Sequence, residues 1–161
     1  MRIFGLLLGL PLVLAAMAFA AEKYNGPHPP KPDLLYLVHA DNLVATEATD
    51  AQEDSKKDSS VYSVPGSNSP ARTPLAEPIF LIESQKVIPD RLELYRMDVK
   101  GGRREVSVSK GRRRGGNRAL HLTVTKLDGN LYRVEAGEPL EDGEYSISPN
   151  DSNRVFCFEV Y

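Results

Sequence analysis

The densest chemistry in the chain is cationic. Between Arg91 and Arg118 ten basic residues stand against Glu93, Asp98 and Glu105, about +7, and five of the ten, Lys110, Arg112, Arg113, Arg114 and Arg118, fall in the stretch SKGRRRGGNR. Such a run could gather an acidic polymer, through phosphate, sulfate or acidic polysaccharide, or the acidic surface of another envelope protein. Gly111, Gly115 and Gly116 leave it too free to hold a fixed set of arginines around one small ligand. A charge run of this kind is also what keeps a turn soluble. No specific nucleic acid is expected, because neither exposed aromatics for stacking nor a groove-entering motif lies near Arg112.

Other reactive types are sparse. The histidines are His28, His39 and His121, none spaced at i, i+2 or i, i+4 from another His or Cys, and there is no G-x-S-x-G elbow. The acidic corner VEAGEPLEDGE, with Glu135, Glu138, Glu141, Asp142 and Glu144, lacks the D-x-D-x-D-G ligand spacing of a calcium loop and reads as a solvated surface. Cys157 is the only cysteine, so no internal disulfide can form; it is either a buried apolar residue or a handle for an intermolecular bond. Asn150-Asp151-Ser152 is formally a glycosylation sequon, relevant in a eukaryotic host. The expectation is a protein without catalytic activity, cofactor or metal.

Four segments organise these residues. Residues 1–20 read as a signal peptide: Arg2, an apolar run, and Ala18-Phe19-Ala20 before the expected cut. Export places the chain in the periplasm or outside the cell, with no membrane contact after cleavage, and changes the formal charge from -2 to about -3. Residues 21–33 are a Pro-rich extended lead-in. Residues 34–77 hold edge strands, in LLYLVHADNLVATE and VYSV, between an acidic, lysine-containing loop and a proline-punctuated surface connection. Residues 78–161 carry seven short runs, IFLIE, LELYRMDV, REVSVS, ALHLTVTK, NLYRVEA, EYSIS and RVFCFEV, separated by Gly, Pro, Asp or Asn. Without helix-period segments there is no crossover unit, so the sheets should be antiparallel and stack as a sandwich, with a barrel as the alternative. Val106 and Val108, then Leu120, Leu122 and Val124, keep one dry face on either side of the arginines, which predicts a hairpin with KGRRRGGNR at its tip.

The segment LEDGEYSI, Leu140 to Ile147, resembles the tyrosine corner of immunoglobulin-like and fibronectin-like sandwiches. The resemblance covers about eight residues, and Ile147 stands where antibody-type domains carry a core cysteine. It implies that Leu140 plugs the core, Asp142-Gly143 makes the turn, and Tyr145 returns its hydroxyl to an upstream backbone group. It also implies an all-β, antiparallel, immunoglobulin-like sandwich of about seven to nine strands. In RVFCFEV, Phe156 and Phe158 share a face expected to point into its core. The function expected from these features is a structural or interaction module. A polyanion-binding module, or an enzyme or accessory subunit with a cleft beside the Pro-rich arm, are the alternatives.

Overall fold

The computed structural model describes residues 23–110 and 117–161; the expected signal peptide, residues 1–20, lies outside them. The described chain is almost entirely β. All seven runs after Pro78 are strands: β7 (Ile79–Glu83), β8 (Leu92–Lys100), β9 (Arg103–Ser109), β10 (Leu122–Asp128), β11 (Leu131–Ala136), β12 (Gly143–Pro149) and β13 (Arg154–Val160). Six more precede them: β1 (Tyr36–His39), β2 (Asn42–Ala45), β3 (Glu47–Asp50), β4 (Gln52–Ser55), β5 (Ser59–Pro65) and β6 (Arg72–Thr73). Thirteen strands among the described residues exceed the seven to nine expected, because several segments that lack strand-like composition are recruited to edges. The acidic stretch after Thr46, expected as a loop, forms β3 and β4, and the Pro-rich connection contributes β6, which runs parallel to β13 in an otherwise antiparallel fold. No helix among the described residues is long and apolar enough to cross a membrane.

One sheet has the order β10-β11-β7-β1-β2, the other β3-β13-β12-β8-β9-β5-β4. Their facing sides bury Leu35, Leu37, Phe80, Ile82, Leu94, Val134, Tyr145, Ile147, Phe156 and Phe158 as one apolar core. Phe158 meets Phe80 edge to face at 4.9 Å and stacks with Tyr145 at 5.5 Å, geometries that aromatic quadrupoles favour. Two-residue and bulged turns join neighbouring strands where the sequence supplies glycine: Gly101 and Gly102 take φ +57° and +76° between β8 and β9, angles that L residues with a Cβ resist.

The larger sheet has a second property. Its end strands, β3 and β4, are separated by Ala51 alone, so residues 47–55 are one extended stretch whose first half pairs with β13 and whose second half pairs with β5. The path 47–55, β13, β12, β8, β9, β5 therefore returns to its start, and this sheet curls into a closed ring. Alternation puts Ala51, Val64, Met97, Val155 and Cys157 inside it, where they form a separate buried cluster. Strands β12 and β13 are walls shared by both cores: Tyr145, Ile147, Phe156 and Phe158 face the sandwich, while Glu144, Ser146, Val155 and Cys157 face the ring.

The hairpin expected around the arginines is not formed by β9 and β10: β9 pairs with β5 and β8, and β10 pairs with β11. Residues 111–116, which carry Arg112, Arg113 and Arg114, lie outside the described residues, and just beyond them the Asn117 amide donates to Ser107 O on β9 at 2.6 Å. The shared dry face on either side of the arginines arises because each strand faces a core, and these cores are different.

Candidate site at the open end of the strand ring

One end of the ring is sealed by charge. Arg104, on β9, is 1% exposed. Its Nη1 and Nη2 grip the two carboxylate oxygens of Glu47 at 2.6 and 3.1 Å, while Nε and Nη2 donate to the carbonyls of Gly66 and Pro65 at 3.0 Å each. Glu144 lies 3.6 Å from Nη1 and accepts the Ser69 amide on both oxygens. Burial pushes the Glu144 carboxyl above its ordinary range, against the downward pull of the Ser69 amide and Arg104. A fork-shaped cation that uses its donors on carboxylate and carbonyls is the group that can be buried at this depth. Beneath it sits Cys157, its thiol fully buried and pushed up to about 12 by desolvation.

The other end is open. There a cavity of about 300 Å³ is lined by Glu53, Tyr62, Glu93, Tyr95, Val106, Val108, Ser146, Ser148 and Val155, with the β12–β13 turn, residues 149–153, as its rim. Every strand segment of the ring contributes to this wall. The pairings explain the composition: Tyr62 lies opposite Glu53 and Val106, and Tyr95 opposite Ser146. The Tyr95 hydroxyl donates to Glu93 Oε2 at 2.8 Å, and burial first, then this bond, raise its pKa. Ser60 donates to Glu53 Oε1 at 2.8 Å. The result is a recess lined by valines, two tyrosines and two carboxylates, at the lower end of the size range of small-molecule sites.

The residues singled out from sequence occupy other places. Arg112, Arg113 and Arg114 lie outside the described residues. Lys110 is exposed and tied down, its Nζ donating to Ser55 Oγ and to the Lys56 carbonyl. Arg118 is exposed beside His121 and Glu138, facing a cleft on the far side of β8. Leu140 is buried in the sandwich core and the Tyr145 hydroxyl donates to Glu141 O at 2.8 Å. Asp142 is exposed, its carbonyl accepting from Arg96, and Gly143 packs so closely on the Arg96 guanidinium that a Cβ would lie 3.4 Å from it. Phe156 and Phe158 are fully buried. Sequence reading missed Glu53, Tyr62, Glu93 and Tyr95. Glu93, Tyr95 and Met97 alternate on β8 with the apolar Leu92 and Leu94, which was the available signal: a tyrosine and a methionine on the supposedly wet face of a strand.

Comparison with protein-family models, with curated proteins and with solved structures gives no match.

Proposed function

We propose that the chain is an exported, non-catalytic binding module whose recognition site is the open end of the strand ring. The observation that carries this reading is the cavity itself: six segments of chain converge on it, its floor is packed, and the opposite end is sealed by Arg104. A recess so framed is held open before a ligand arrives, which lowers the ordering cost of binding. Its lining supplies aromatic rings, hydroxyls and carboxylates, groups that can pack against a ligand and fix its orientation by hydrogen bonds. Export rests on residues 1–20. The corner bond from Tyr145 to Glu141 supports the immunoglobulin-like kinship of the sandwich half.

The basic run is proposed as a second, looser contact for an acidic polymer or an acidic envelope partner, supported by its charge and by the exposure of Arg118. The primary reading is tested by solvent mapping. Isotope-labelled residues 21–161 titrated with 1-butanol should show amide shifts confined to Tyr62, Tyr95, Val106, Ser146 and their neighbours. Shifts scattered over the surface, or none, would remove the site.

A further inference from the structure

We infer that the cavity recognises an organic cation, an ammonium group on a short apolar body. This rests on the ring mouth being a ligand site and names what it takes. Glu53 and Glu93 stand on opposite sides of the ring, on β4 and β8, and both enter the cavity wall. Each has one oxygen held by a neutral hydroxyl, Ser60 for Glu53 and Tyr95 for Glu93. Among the described residues no ion pair reaches either of them, and the lining holds no lysine, arginine or histidine. The third acid, Asp151, sits on the rim and is engaged by Arg91 at 3.6 Å. Among the described residues the remaining lone pairs of these carboxylates meet no further protein donor; Glu53 is exposed at the mouth, and Glu93 also borders the neighbouring cleft that holds Arg118.

That imbalance selects among ligands. A neutral guest entering the cavity strips water from two carboxylates and returns nothing for it. An anion adds repulsion in a region where protein walls weaken screening. An ammonium replaces the lost water with charge-assisted hydrogen bonds to Glu53 and Glu93. Tyr62 and Tyr95 add the faces of two electron-rich rings, the surface that attracts cations. Val106, Val108 and Val155 supply apolar lining for the attached hydrocarbon. The ligand is therefore cationic at one end and apolar at the other, the chemistry of a free alkylamine or of a lysine side chain.

The probes are n-butylammonium, 1-butanol and butyrate, titrated into residues 21–161 and followed by amide shifts at the ring mouth. The ammonium is expected to bind about tenfold more tightly than the isosteric alcohol, butyrate not at all, and added sodium chloride to weaken the ammonium alone. Glu93→Gln should narrow the gap between ammonium and alcohol by weakening the ammonium while leaving the alcohol unchanged, and an unchanged gap would overturn the cation. Tyr62→Leu keeps the floor apolar and should weaken the ammonium more than the alcohol. Nα-acetyl-lysine methylamide separates the two sources: tighter binding than n-butylammonium assigns the site to a lysine side chain, equal or weaker binding to a free amine. Equal binding of alcohol and ammonium at the ring mouth would overturn the cation while leaving the cavity as a site. No shift there with any probe would overturn both.

Discussion

At the scale of single residues, Arg104 is the position where chemistry leaves least room. Replacing it with Met removes a charge on which two carboxylates and two backbone carbonyls converge. The cost should be about 3–5 kcal/mol by urea denaturation, as for breaking other buried ion pairs from one side. Glu144→Gln should behave differently, because burial already favours its uncharged form. A carboxyl raised in the folded state contributes its stability fully below the unfolded pKa and loses it as pH rises through the folded one. The variant should therefore gain on the wild type as pH rises above the ordinary glutamate range, the two being closest at acid pH. Parallel melts across that range check the sign. Tyr145→Phe keeps the ring stacked on Phe158 and deletes only the bond to Glu141, so a loss of about 0.5–1.5 kcal/mol is expected.

At the scale of elements, Asp33 ties the end of the Pro-rich arm, whose Pro29 is buried, to the loop after β7. Asp33, at φ +57°, sends Oδ1 to the amides of Gln85, Lys86 and Val87 at 2.8–3.0 Å, and its own amide to Glu83. Burial pushes its carboxyl up, but the three amides prevail and hold it below the ordinary aspartate value of 3.8. A depressed carboxyl contributes stability above the unfolded pKa and loses it as pH falls through the folded one. Asp33→Ala should thus cost stability at neutral pH and converge with the wild type as pH falls below the ordinary aspartate range, a convergence that acid titration of circular dichroism reads out. Strands from Pro78 onward were legible because hydrophobic alternation and glycine turns coincide there. Strands β3 and β4 were not: Glu47, Asp50, Glu53 and Asp54 give them the composition of a loop, and only the free edges of β13 and β5 draw them into sheets. That β9 and β10 belong to different sheets was not legible for a related reason, since alternation reports that a face is dry and not which core dries it.

At the scale of the molecule, two cores share the walls β12 and β13, and Cys157 lies on the ring side of β13 with no exposed surface. Its thiol, pushed up to about 12, should resist a thiol reagent such as dithionitrobenzoate at pH 8 and react completely in denaturant. Fast reaction in the native protein would mean that the ring opens on its own. The candidate site was the least legible feature, since Glu53 and Tyr62 face each other in the β4–β5 hairpin while Glu93 and Tyr95 come from β8, and only the pairing of β9 with both β5 and β8 brings the two groups to one ring. That double pairing also sets an order of events during folding. The stretch through Ala51 must find β13, about a hundred residues downstream in sequence, before either of its neighbours is closed, and contacts so far apart form slowly. Until then β13 and β3 carry bare edges that another chain can pair with. The time the nascent chain spends waiting for its last strand is then the interval in which it is most prone to aggregate, and yield on refolding should fall with protein concentration.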